Sequence, residues 1–336
     1  MKIAIVKLSA LGDIVHTMII LQFIRNFNKN IKVDWIVEES YKELLNYHPD
    51  INKVHVVNIK KAKKNKSLIL FFKELKKVRK FGSYDLVIDF QGLVKSAIIA
   101  KLIRSKNTLG FEKTSLRESF AANFYNQTFK ISYSSNIIDR NIALISYALQ
   151  INITKKNILD KQPLLYSSKD YFFEFLSNNS PNIILIPGAS YASKSYPISK
   201  YAEITQSIEA NFIVLWGNVE EKQMSEQLLK ISSKIHIPSK LSLDSLISLI
   251  HNADLVIGSD TGPTHLAWAL NIPSITLFGP TPGYRNTYQT NINKLVESNS
   301  KVNPNKINKN DLSIKNIQVN DVVKIALNLL GKKKKI

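Results

Sequence analysis

Short, near-continuous apolar segments alternate with helical patterns along this chain, and the series occurs twice. Residues 2–8 are apolar on both alternating faces, as in a parallel strand covered by helices on each side. Residues 33–37, 54–57 and 84–90 read as further strands. Between them, 68–81 reads as an amphipathic helix with a Lys/Arg face, and 93–103 as another helix. A second series runs through strands at 183–186, 212–216, 254–257 and 274–278, with helices near 201–208, 220–231, 243–251 and 264–270. Parallel neighbours need crossover connections, so the expected class is α/β, two doubly wound parallel-sheet domains. A length of 336 residues suits two such domains. Pro163 and Asn178-Asn179-Ser180-Pro181 lie in a polar stretch that reads as the linker. The expected boundaries are 1–165 and 166–315, with 316–336 a final helix and a basic tail, Lys332 to Lys335, packing back on the first domain.

The chain has no cysteine, which excludes a disulfide scaffold, thiolate zinc sites and a cysteine nucleophile and fits a cytoplasmic setting. No apolar run reaches the roughly 18 residues of a membrane span. The N-terminus reads as a strand and not as a signal peptide. A soluble protein, or one lying on a membrane without crossing it, is expected. There are 46 basic and 26 acidic residues, a net charge of +20. Such a surface attracts phosphates, nucleic acid or an anionic membrane. A Lys/Asn/Ile bias also follows from an A/T-rich coding sequence, so the location of charge says more than its sum. Only six arginines occur, Arg117 and Arg140 among them. Nucleic-acid binding would interleave stacking aromatics with the basic residues. Phe71, Phe72 and Phe81 instead follow helical spacing and read as core.

Four places carry chemistry. Gly12 and Asp13 follow the first strand, where open α/β sheets bind ligands. Gly12 permits close backbone approach, and Asp13 sits at a helix start, so it reads as an N-cap or as a base. Asp260-Thr261-Gly262-Pro263-Thr264-His265 leads from a strand into a helix. Amides there can meet an anion, Thr261 can donate to phosphate, and His265 can touch phosphate or orient the loop. Ala189-Ser190, with Lys194 beyond, follows another strand, and the hydroxyl and ammonium could grip a diphosphate. Lys60, Lys61, Lys63 and Lys64 form a cationic run, with Arg117 and Arg140 in the same half. These would suit a carboxylate- or phosphate-bearing acceptor, or form a solvated face.

Lys7-Leu8-Ser9-Ala10-Leu11-Gly12-Asp13-Ile14-Val15-His16-Thr17 resembles the opening of bacterial lipopolysaccharide heptosyltransferases. The Asp260 to His265 cluster and Phe278-Gly279-Pro280-Thr281 resemble their nucleotide-sugar signatures. Asp34 to Glu39, Asp89 to Ser96, Arg117-Glu118-Ser119 and Phe124-Tyr125-Asn126 resemble the heptosyltransferase I type. The resemblance implies a GT-B fold, two Rossmann-like domains facing a cleft. It implies inverting, metal-independent transfer of heptose from ADP-heptose to the first Kdo of Kdo–lipid A, without a cofactor, at the cytoplasmic face of the inner membrane. Its partners would be that donor, that acceptor and an anionic membrane surface, not nucleic acid. It implies Asp13 as general base. Gly12, Ala189, Ser190, Lys194, Asp260, Thr261, Gly262 and His265 would hold the donor, with Glu221, or its neighbour Glu220, on the ribose. Lys7, Lys60, Lys61, Lys63, Lys64, Arg117 and Arg140 would hold the acceptor. Two departures stand out. The family often has Thr-Thr where this chain has Ala189-Ser190, and arginines where it has Lys60, Lys61 and Lys63. Lysine cannot form the bidentate fork. A related heptosyltransferase acting later, on a heptosylated core, is the nearest rival reading.

Overall fold

The computed structural model describes residues 1–333, so Lys334 and Lys335 of the expected basic tail lie outside the described residues. The chain divides into two compact units, Met1–Leu164 and Leu165–Ile336.

In the first unit six parallel strands lie in the order Lys53–Val57, Lys32–Glu38, Lys2–Val6, Leu86–Asp89, Thr108–Phe111, Gln127–Phe129. Ile3, Ala4, Ile5 and Val6 are all fully buried, as a strand covered on both faces must be. Helix Leu11–Phe27 follows directly and packs on helix Ile137–Leu149. Asn141 Nδ2 donates to Thr17 Oγ1 across that contact, 3.1 Å away. The first helix starts at Leu11. Ala10 takes the cap position, and the Asp13 carboxylate accepts the Ala10 amide at 3.2 Å, which closes the first turn. The predicted strand over 84–90 splits. Ser83–Tyr84 joins a two-stranded ribbon, and Leu86–Asp89 enters the main sheet.

The second unit repeats the plan, in the order Ile235–His236, Asn211–Val214, Asn182–Ile186, Leu255–Ser259, Ser274–Phe278, Asn293–Glu297, all parallel. Its core gathers Ile183, Leu185, Tyr201, Phe212, Ile257 and Leu277. The last helix, Val319–Lys333, runs through Gly331. Val322, Ala326 and Leu329 on this helix are buried in the second unit's own core.

Numbered along the chain, the main-sheet strands of each unit run 3-2-1-4-5-6, the Rossmann order. The winding reverses between the first and fourth strands. A crevice opens there at the carboxyl ends, flanked by the loops after those two strands. In the first unit these are the Ser9–Asp13 and Phe90–Leu93 segments; in the second, Pro187–Tyr191 and Asp260–Gly262.

Candidate functional site

At the first unit's switch point, Asp13 is half-buried in the first turn of its helix. The loop before it is held from the fourth strand. The Leu8 and Ser9 amides both donate to Gln91 Oε1, at 3.1 Å each. Gln91 is itself anchored, because its amide donates to Asp89 Oδ1 at 2.8 Å. Asp89 is fully buried and also accepts from the Gly92 amide at 3.2 Å and from Ser96 and Tyr125 at 2.8 Å each. Burial pushes the Asp89 carboxyl above its ordinary range, and these hydrogen bonds offset only part of that. Gly92 has φ +66, a left-handed turn that a side chain would strain. Gln91 is therefore a candidate positioning residue, one that local sequence pattern does not single out. Lys7 is buried, and its ammonium donates to the Phe90 carbonyl at 3.1 Å, bracing the same two loops.

Beside this crevice the unit carries a pocket of about 790 Å³. Ile59, Phe71, Leu93 and Ile98 give it apolar walls. Lys60, Lys63, Lys66, Lys95 and Arg117 supply cations, with Glu118 the acid. Glu38 is buried beneath and accepts the Lys60 amide at 3.1 Å. Burial raises the Glu38 carboxyl above its ordinary range, partly offset by Lys60 and Lys95. Lys95 is held below the usual ammonium range, first by burial and then by Lys60 and Lys63, with Glu38 opposing. Sequence pattern alone does not single out Lys95. Its local mark is a place in the first helical turn after a strand-end glycine. Lys60 is fastened to Tyr41, with Nζ 2.9 Å from the hydroxyl and 4.4 Å from the ring centroid. Lys61 and Lys64 are exposed and do not line the pocket.

Arg140 is corrected. It is 3 % exposed, and its guanidinium donates to the carbonyls of Ser132 at 2.7 Å and Ser115 at 2.9 Å while lying over the Phe111 ring. A guanidinium spent on carbonyls in the interior braces two loops and does not face an acceptor. Arg117 remains exposed at the pocket, with Glu118 4.0 Å away.

At the second unit's switch point the organiser is Asp260. It is buried and draws four donors together. Lys194 Nζ and Thr281 Oγ1 reach Oδ2 at 2.8 Å each, Asn286 Nδ2 reaches it at 3.3 Å, and His265 Nε2 lies 3.1 Å from Oδ1. Burial alone would raise this carboxyl. Lys194 and His265 more than reverse that and hold it well below the usual carboxylate range. Asp260, expected among the donor-binding residues, thus fixes Lys194 and His265. The Lys194 side chain is 11 % exposed at the end of a short 3-10 turn, Ala192–Lys194. Asn286 was not anticipated, because only the folded loop brings it to Asp260.

Thr261 precedes helix Gly262–Ala269, and its side chain does not cap it. Its hydroxyl lies 3.2 Å from that of Thr264, which donates to the Ser259 carbonyl at 2.8 Å. A helix start without a side-chain cap suits an anion. Ala189 is half-buried and Ser190 exposed on the neighbouring loop. Glu221 turns toward that loop. A Cβ on Gly188 would stand 2.4 Å from Glu221 Cγ, so a side chain there would push Glu221 from this position. Glu221 Oε2 accepts the Gly217 amide at 2.6 Å, whereas Glu220 is exposed. Lys194, Asp260, Thr261, His265 and Glu221 thus line the two loops at one sheet end, together with the side chains that fix them.

The sequence profile of glycosyltransferase family 9 (heptosyltransferase) matches residues 71–314. The chain is 39% identical to lipopolysaccharide heptosyltransferase 1 of Campylobacter coli, over 98% of this chain and 99% of that one. It is 30% identical to the Pseudomonas aeruginosa protein of the same name, over 86% and 81%. Among solved structures it resembles E. coli heptosyltransferase WaaC with ADP, with a TM-score of 0.79, 24% identity, and coverage of 98% and 100%. E. coli ADP-heptose lps heptosyltransferase II gives a TM-score of 0.73 at 18% identity, over 99% and 100%. These likenesses carry the GT-B heptosyltransferase fold, and the chain belongs to glycosyltransferase family 9, the heptosyltransferases.

Proposed function

We propose that this enzyme acts in lipopolysaccharide core synthesis and transfers L-glycero-D-manno-heptose from ADP-heptose to the first Kdo of Kdo–lipid A, with inversion and without a metal. The observation that carries this reading is the division of chemistry between the two sheets. One switch point bears a carboxylate, Asp13, beside a pocket ringed by Lys60, Lys63, Lys95 and Arg117. The other bears a carboxylate-fixed lysine, a helix start without a side-chain cap and Glu221. The first suits an anionic sugar acceptor and the second a nucleoside diphosphate. The type 1 names of the relatives above support the choice of acceptor.

In this reading Asp13 takes the proton from the Kdo hydroxyl as its oxygen bonds to the anomeric carbon. The bond from that carbon to the phosphate oxygen breaks, and ADP leaves with the electron pair. One in-line displacement inverts the centre. Charge growing on the diphosphate is met by Lys194, Ser190 and the amides near Thr261 and Gly262. Lys194 needs no search for its position, because Asp260 already holds it. Glu221 takes the ribose hydroxyls. The domain roles follow: 1–165 binds the acceptor and 166–315 the donor. The enzyme works from the cytoplasm on a membrane-borne lipid.

The test is mass spectrometry of purified Kdo–lipid A incubated with ADP-heptose and EDTA, for the wild type and Asp13→Ala. A gain of one heptose, lost in the variant, is expected. No gain on this acceptor, but a gain on a heptosylated core, would overturn the reading in favour of a later-acting heptosyltransferase.

A further inference from the structure

Residues 59–80 contain ten basic residues and one acidic one, Glu74. Glu74 is turned inward, where its carboxylate accepts the Asn58 amide at 3.0 Å. The outward surface is therefore almost purely cationic. Helix Leu68–Val78 buries Val78 and packs Phe71 into the first unit's core. Its inner face is thus accounted for. Yet Leu68, Ile69 and Phe72 remain 73%, 81% and 58% exposed on its first turns. Leu68 and Phe72 are one helical turn apart, so they share a face with Ile69 at its edge. Lys73 and Lys76 follow on the outer surface, and Lys61, Lys64 and Lys66 precede it, all exposed. Large apolar side chains clustered in water mark an interaction surface.

We propose that this ridge is the membrane-facing edge of the enzyme, with Ile69 and Phe72 entering the interface of an anionic bilayer. The occupant follows from charge complementarity. Anionic headgroups match the lysines, whose stems can lie along the apolar boundary with the ammonium groups in water. A nucleic-acid backbone would satisfy the lysines but offers nothing to Leu68 and Ile69. The ridge continues into the cationic pocket, since Ser67, just before the helix, is part of its lining. An acceptor still embedded in the bilayer would reach the pocket from this side. That last point rests on the proposed acceptor; the lipid contact itself does not.

The experiment is co-sedimentation of the full chain with vesicles of 30% phosphatidylglycerol in phosphatidylethanolamine, and with neutral phosphatidylcholine vesicles. The wild type is compared with Ile69→Ser/Phe72→Ser and with Lys73→Gln/Lys76→Gln. Binding to anionic vesicles should fall about tenfold or more in the apolar pair. It should fall several-fold in the lysine pair and weaken with added salt for every form. Transfer to a deacylated, water-soluble Kdo acceptor should stay at the wild-type level in both, showing that the fold is intact. A wild type that stays in the supernatant with anionic vesicles at low salt overturns the proposal. So does an apolar pair that binds as well as the wild type. A changed sedimentation coefficient of the apolar pair without lipid, at unchanged vesicle binding, would assign the ridge to self-association. If the wild type binds vesicles but transfers no heptose to any acceptor, the proposed function fails and this inference stands.

Discussion

Asp260→Asn isolates the charge of the second unit's organiser from its shape. Three donors meet Oδ2: Lys194, Thr281 and Asn286. His265 Nε2 meets Oδ1 and can accept as well as donate, according to its tautomer. The amide oxygen can therefore keep the three donors while the amide nitrogen donates to His265. Geometry survives, and what disappears is the counter-charge of Lys194, whose side chain is 11 % exposed. Removing one partner of such a buried pair costs about 3–5 kcal/mol. At roughly 2–4 °C per kcal/mol for a unit of this size, the second unit should lose about 6–20 °C. Guanidinium unfolding can be followed through Trp216 and Trp268, which both belong to this unit, whereas Trp35 belongs to the first. The sign of the pH dependence is fixed too. A carboxyl held below its unfolded value stabilises the fold above that value and loses the contribution as pH falls. The gap between wild type and variant should be flat above about pH 5 and narrow below about pH 4. A gap under about 1 kcal/mol at neutral pH, or one that stays constant down to pH 3, would refute the reasoning.

The first unit gives three further tests. Gln91→Ala removes the acceptor of the Leu8 and Ser9 amides. It should cost about 1–3 kcal/mol and lower kcat for heptose transfer while leaving the donor KM unchanged, in steady-state kinetics. Arg140→Ala should lower stability by about 3 kcal/mol, read by thermal melting, and leave the acceptor KM of the folded enzyme unchanged. Arg117→Ala should do the reverse, raising the acceptor KM several-fold with stability within about 0.5 kcal/mol.

The central strands were readable because a strand buried on both faces must be apolar throughout, as residues 3–6 and 183–186 are. Thr108–Phe111, Gln127–Phe129, Ile235–His236 and Asn293–Glu297 escaped notice. Gln127–Phe129, Ile235–His236 and Asn293–Glu297 are edge strands, where one covered face leaves no continuous apolar run, and Thr108–Phe111 is only four residues long. The Asp260 to His265 loop could be picked out because its groups are neighbours in the chain. The pairing of Asp260 with Lys194, the hold of Gln91 on Leu8 and Ser9, and the burial of Arg140 all join residues far apart in sequence. Local pattern carries no trace of them. Arg140 misled for a physical reason: an arginine among many lysines signals a need for directed hydrogen bonds, and backbone carbonyls meet that need as well as a ligand does.

The ion pair of Lys194 with Asp260 has a consequence for how far each site can be felt through water. Before any nucleotide arrives, that lysine is already neutralised at contact distance. The second sheet's crevice therefore projects little net field from it. Around the first sheet's pocket, Lys60, Lys63, Lys66, Lys95 and Arg117 outnumber Glu38 and Glu118, and the excess reaches into solvent over about a Debye length. An anion is thus drawn toward the first sheet's pocket from afar, whereas the second sheet's crevice recognises one only on touching. The two sites differ in range before they differ in shape.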